Sequence, residues 1–137
     1  MKTRYAVGLS LLAGVAIGAV AVHGLHAQAK PPIFYVAEID VTNEEGYAKE
    51  YVPKAQAIIK AAGGRLLAVG GAAGGAQVTT IEGAPPKRAV IQVWDSVEKI
   101  KAWRANPEYI EARKIGDKYA KFRSYYIEGL PDAPKLN

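Results

Sequence analysis

Two helix-start signals, each set directly behind a run with strand periodicity, restrict the folds open to this chain. From Ile33 to Val41 the side chains alternate: Ile33, Tyr35, Ala37, Ile39 and Val41 share one parity, and Phe34, Val36, Glu38 and Asp40 the other. Both parities begin apolar and one turns acidic. That is the pattern of a strand packed on helices by one face and lining something partly polar with the other. Thr42-Asn43-Glu44-Glu45 follows at once as a capping box, a hydroxyl at the N-cap and a carboxylate three residues on. Tyr47, Tyr51, Ala55, Ile58, Ile59 and Ala62 then fall on one helical face. Pro53 lies inside this helix and predicts a kink or a late restart, and Gly63-Gly64 closes it. The second signal, Asp95-Ser96-Val97-Glu98, stands behind a strand from Arg88 to Trp94 and opens a helix carrying Val97, Ile100 and Trp103. Asn106-Pro107 opens a further helix, with asparagine as cap and proline in its first position.

Between the two signals, Arg65 to Val69 reads as a strand, interrupted by Gly70-Gly71-Ala72-Ala73-Gly74-Gly75. No helix with a phosphate-loop or dinucleotide-loop pattern follows, so the glycines read as a flexible loop rather than a phosphate cradle. Gln77 to Glu82 reads as a resumed strand, forming a hairpin with Arg88–Trp94 across Gly83-Ala84-Pro85-Pro86. Phe122 to Glu128 is the last strand, and Gly129 to Asn137 a flexible tail. Strand, helix, strand hairpin, helix, strand is an α+β order. It predicts a ferredoxin-like β-α-β-β-α-β sandwich, an antiparallel sheet with helices on one face. The uncovered face would carry Phe34, Val36, Val90, Trp94 and Tyr126 or their opposite-parity neighbours. That is too apolar for open water, and a homodimer packed sheet against sheet is expected.

The N-terminal segment has a different character. Lys2 and Arg4 precede an uncharged run from Tyr5 to Val22, and Ala27-Gln28-Ala29 ends it in a small-x-small pattern. Residues 1–29 therefore read as a secretory signal peptide cleaved near Ala29. A single ferredoxin-like domain, 30–137 with its core at about 33–129, would reach the periplasm or the medium with no stable membrane anchor. Both histidines, His23 and His26, lie in the leader, and the chain has no cysteine. The mature domain would thus lack the imidazole and thiolate used by haem, zinc and copper sites and by Ser-His or Cys-His nucleophiles. No cofactor or metal is expected, and a general base would have to be a carboxylate, a lysine or a tyrosine. Losing Lys2 and Arg4 lowers the net charge from +5 to about +3, spread rather than blocked, so no nucleic-acid partner is expected.

Several stretches together carry a family likeness: Val36-Ala37-Glu38-Ile39-Asp40-Val41-Thr42, Gly63-Gly64-Arg65-Leu66-Leu67-Ala68, Ile81-Glu82-Gly83, Val90-Ile91-Gln92-Val93-Trp94-Asp95-Ser96, Trp103 with Asn106-Pro107-Glu108-Tyr109, and Tyr126-Ile127-Glu128-Gly129. In order and spacing they resemble the family called domain of unknown function 1330, within the dimeric α/β-barrel superfamily. The resemblance covers nearly all of residues 33–130. It implies a ferredoxin-like protomer and a barrel-forming dimer, and it assigns no reaction. The glycine-rich stretch 70–76 and the leader depart from the family pattern.

For chemistry, Glu38 and Asp40 share a strand face about 6–7 Å apart. Arg65 can approach from a second strand, and Gln92, Trp94 and Tyr126 offer further lining. Tyr109 and Arg113 stand four apart on the last helix, facing the same way. These eight residues are the candidate pocket, expected on the open sheet face. The plainer reading pairs Glu38 and Asp40 with Arg65 or Arg88 at an exposed strand end, packs Tyr109 and leaves Arg113 on the surface. Trp103, Tyr47 and Tyr51 read as core. Two functions follow: an exported dimeric module that binds a small organic molecule, or a cofactor-free enzyme of isomerase or monooxygenase type using carboxylate and Tyr/Arg groups.

Overall fold

The alternation from Ile33 to Val41 becomes strand β1 (Ile33–Val41), its Ile33, Tyr35, Ala37, Ile39 and Val41 side chains buried. The computed structural model describes residues 30–134 and 136; the signal peptide read over 1–29 lies outside them. Helix α1 follows in three pieces: an α turn (Glu44–Gly46), a π-helical turn (Tyr47–Tyr51) and a regular α segment (Val52–Ala61). Its cap is Asn43 rather than Thr42. Asn43 Oδ1 accepts from the Gly46 N–H at 2.9 Å, while the Thr42 hydroxyl donates to the Tyr119 carbonyl. The π turn has its cause in Pro53, which offers no N–H to the carbonyl four residues back and crowds it with its ring. Widening the preceding turn, with the Val52 N–H bonded to the Tyr47 carbonyl, places Pro53 in the first turn of the regular segment. Tyr47 and Tyr51, ring centroids 5.1 Å apart, are both buried by this turn.

Strand β2 (Arg65–Gly71) runs antiparallel to β3 (Arg88–Trp94). Helix α2 (Val97–Ala105) is capped by the Ser96 hydroxyl, which accepts from the Lys99 N–H, so the cap lies one residue later than Asp95. Asn106 caps α3 (Pro107–Asp117) through the Glu108 N–H, and β4 (Ala120–Glu128) closes the fold. The strand read over Gln77–Glu82 does not form: these residues are irregular, and the hairpin joins β2 to β3 through residues 72–87. β3 has two edges, and β1 and β2 occupy both. The chain leaves the sheet at Gly71, which sits at φ +86 where a Cβ would strike the Lys87 carbonyl.

The strand order is β2-β3-β1-β4, antiparallel throughout, with the helices on one face: the ferredoxin-like α+β sandwich. Register decides the faces. Tyr35 stands opposite Gln92 and Tyr126, and Ile39 opposite Arg88 and Phe122. Residues Val90, Trp94 and Tyr126, expected on the uncovered face, therefore share the covered parity with Tyr35. The uncovered face carries Phe34, Val36, Ile91, Tyr125 and Ile127 instead. Trp94 is fully buried and lies so close to Gly64 that a Cβ there would meet its ring.

Candidate functional site

Small side chains on two facing elements leave room inside this protomer. Ala37 of β1 and Ala55 of α1 line a cavity of about 50 Å³ between the sheet and the helices, with exposed Gln56 and Leu66 at its rim. Its surface is mostly apolar, with several polar groups set into it. The phenols of Tyr35, Tyr47, Tyr51 and Tyr109 are among these, with Arg88 and Gln92 from β3 and Arg113 from α3. Ile39, Val69, Val90 and Trp103 supply the apolar and aromatic walls.

The π turn places Tyr47 and Tyr51 there, and Arg88 lies 5.6 Å from the Tyr47 ring centroid. Trp103 closes one end. It stacks on Trp94 at 5.1 Å between centroids, meets Tyr35 edge-on at 5.2 Å and packs on Tyr109 at 4.5 Å. The Tyr109 hydroxyl accepts from Arg104 at 3.2 Å, and the Trp94 indole N–H donates to Gln92 at 2.9 Å. Arg113 reaches across α3 to Asp117 at 2.8 Å, its guanidinium 3.7 Å from the Phe122 ring centroid. Burial opposes its charge, but the Asp117 carboxylate and neighbouring Tyr109 outweigh that and hold Arg113 above its ordinary value.

Desolvation pushes the phenols of Tyr35, Tyr47 and Tyr51 upward; Tyr109 adds to the effect at Tyr51, and Arg88 reduces it at Tyr47. All three are neutral donors and acceptors at neutral pH. The sign of the resulting pH dependence is fixed. An unfolded tyrosine ionises near pH 10, and these three ionise later in the folded state. The stability they contribute is complete below pH 10 and is lost as pH rises through the folded values. Urea midpoints are expected to be insensitive to these phenols between pH 7 and 9. Above pH 10 the unfolding free energy should fall by up to about 1.4 kcal/mol per pH unit for each buried tyrosine, and the midpoints with it. Tyrosinate absorbance that grows in with unfolding, rather than ahead of it, is the check.

The sheet divides the eight residues singled out from the sequence. Gln92, Tyr109 and Arg113 come together in the cavity, with Trp94 packed behind Gln92. Tyr126 faces the helices but at the sheet edge, 47% exposed, in an outer depression beside Arg104 and Ser124. Glu38 and Asp40 lie on the opposite side. Glu38 pairs with Arg123 at 3.4 Å, and Asp40 with Lys87 at 2.8 Å. The Lys87 hydrogen bond and charge hold the Asp40 carboxyl below its ordinary value. Arg65 aligns with Phe34 through Val93, four residues along β1 from Glu38, or about 13 Å. It does not reach that carboxylate, and the cavity lies on the helix side rather than on the open sheet face.

Arg88, Tyr35, Tyr47, Tyr51 and Trp103 are the lining residues that sequence reasoning assigned to pairing or core. One signal for Arg88 was present. In β3 the Arg88, Val90, Gln92, Trp94 parity mixes polar with apolar side chains, whereas Ala89, Ile91 and Val93 are uniformly apolar. A mixed parity facing helices means a polar interior space. Among the described residues, no group of three or more His, Cys, Asp or Glu side chains is placed to hold a metal ion.

Residues 32–130 match the family described as Domain of unknown function (DUF1330). A crystal structure of a protein of unknown function from Rhodopseudomonas palustris superposes with a TM-score of 0.59 at 17% identity, over 80% of this chain and 92% of that one. SnoaB, a cofactor-independent oxygenase from Streptomyces nogalater, superposes with a TM-score of 0.54 at 10% identity, over 77% of this chain and 99% of that one. At these identities the likeness is one of fold. No curated protein matches the sequence.

Proposed function

Because the chain belongs to the DUF1330 family of unknown function, we propose from its interior that it binds a small organic molecule in the cavity between sheet and helices. The observation that carries this is the lining itself. Four phenols, two guanidiniums, two glutamines and a serine line a space where a ferredoxin-like core would otherwise hold packed apolar side chains. The binding module is exported after cleavage near Ala29 and works as a homodimer. Its exposed sheet face, with Ile91, Tyr125 and Ile127 all accessible, supports the dimer.

A cofactor-free enzyme in the same cavity is the second reading, prompted by the fold shared with a cofactor-independent oxygenase. The lining contains no carboxylate, and burial holds three of its tyrosines protonated, so it offers poor general bases. Binding without turnover is favoured for that reason.

Native mass spectrometry on protein purified from the exported fraction of its own host tests the whole reading. The expected species is a dimer of chains beginning at Lys30, carrying a small-molecule adduct. Ala37→Val, which puts two methyl groups into the cavity, should lose the adduct and keep the fold. Absence of the protein from that fraction would overturn export, chains that retain residues 1–29 would overturn cleavage, and an adduct absent from the wild type or unchanged in Ala37→Val would overturn the cavity as the site.

A further inference from the structure

Arg88 is 3% exposed, and an arginine keeps its charge in any protein environment. A buried charge demands compensation by an opposite charge and by hydrogen bonds to its remaining donors. Arg88 has part of this. Its Nη1 donates to the carbonyls of Ala72 and Ala73, which latches the turn after β2, and the Tyr47 ring offers one face to the guanidinium. The remainder is missing. Nε is buried with no acceptor among the described residues. The carboxylates flanking it in the sheet register are engaged on the other side, Asp40 with Lys87 and Glu38 with Arg123, and Glu44 accepts from the Ala73 N–H rather than from Arg88. Arg113, the other cation on the cavity, differs: Asp117 already pairs with it.

A second orphan lies on the same cavity. The indole N–H of Trp103 is buried without an acceptor among the described residues, although the neighbouring Trp94 indole has Gln92. Both orphans are donors. A ligand that satisfies them must bring acceptors, and one that also balances Arg88 must bring negative charge. Size narrows it further. An engineered cavity of about 150 Å³ admits benzene, and this one, at about 50 Å³, admits less.

We propose that the cavity binds a short-chain organic carboxylate, with its charge held at Arg88 and its body against the tyrosine and aliphatic walls. The proposal rests on the cavity reading above and names its ligand class. A latch for the glycine-rich turn accounts for Nη1 but leaves both orphan donors unexplained.

Trp103 supplies its own reporter. In ¹⁵N-labelled protein the two indole N–H resonances are read while sodium acetate or acetamide is added at constant ionic strength. Acetate should shift the Trp103 resonance saturably and the Trp94 resonance far less, and should bind at least tenfold more tightly than acetamide. Arg88→Gln, which retains donors for the latch, should weaken acetate binding at least tenfold and acetamide binding by much less. Equal binding of acetate and acetamide would overturn the carboxylate while leaving the cavity as a binding site, and that wild-type comparison decides even if Arg88→Gln does not fold. Unperturbed indole resonances with both compounds, together with no adduct in the mass spectrum, would overturn the ligand class and the cavity reading alike.

Discussion

Trp103→Ala is expected to destabilise the domain by about 3–5 kcal/mol, the range for deleting a large aromatic from a core. Trp103 is 2% exposed and touches three other aromatic rings, Trp94, Tyr35 and Tyr109, within 5.2 Å between centroids. These rings belong to β3, β1 and α3, so the indole ties α2 to both the sheet and the last helix. Aromatic pairs of this kind add about 0.5–1.5 kcal/mol beyond the area they bury. One term works the other way. Its indole N–H has no acceptor among the described residues, and deleting it recovers a desolvation cost of about 1–3 kcal/mol. The lower half of the range is therefore expected. For a domain of about 100 residues this lowers Tm by roughly 12 °C or more. Trp103→Phe, which keeps a ring in the stack and removes the orphan donor, should cost less than half as much. Urea denaturation of the two variants beside the wild type is the measurement. A loss below about 1 kcal/mol for the alanine variant would show that α2 is held by other contacts.

Ile91→Glu is expected to convert the proposed dimer to monomer. Ile91 lies in a row with Val36 and Tyr125 across the centre of the uncovered sheet face and is 38% exposed. In a two-fold interface each substitution occurs twice. Burying two carboxylates at about 2 kcal/mol each raises the dimer dissociation constant by about 1,000-fold. Sedimentation velocity at a concentration where the wild type is dimeric should show the monomer mass, with an unchanged circular dichroism spectrum. If the mass stays that of the wild type, the partner surface lies elsewhere.

The path of the chain was legible in the sequence because its signals are local. Alternation, caps and glycine stops each act within a few residues, and β1 and β3 fall where the periodicity placed them. Where pairing decided the outcome, local reading failed. Gln77–Glu82 has strand composition, but both edges of β3, the partner expected for it, are taken by β1 and β2, and it stays irregular. The site was harder for the same reason. Which parity of a strand faces the helices depends on register with its neighbours, and Gln92 was grouped with Glu38 although the sheet separates them. Acidic side chains drew attention to the wrong side, where Lys87 and Arg123 already neutralise them. The sequence offers Arg65 or Arg88 as their ion-pair partner, because the burial of Arg88 cannot be seen in one strand alone. Tyr47 and Tyr51 were placed correctly on the inner face of α1, but the π turn that brings them to the cavity follows from Pro53 in a way that spacing does not reveal.

The alternation of β3 has a consequence for how such a chain can change over generations. Arg88, Val90 and Gln92 face the interior space, while Ala89 and Ile91, interleaved with them, face outward. Neighbouring codons therefore answer to different selective pressures, one set by what the interior accommodates and the other by what the outer surface meets. A point mutation can retune one property and leave the other untouched, but an insertion or deletion of a single residue exchanges the two sets. Divergence along this strand is expected to accumulate by substitution, with its length held fixed.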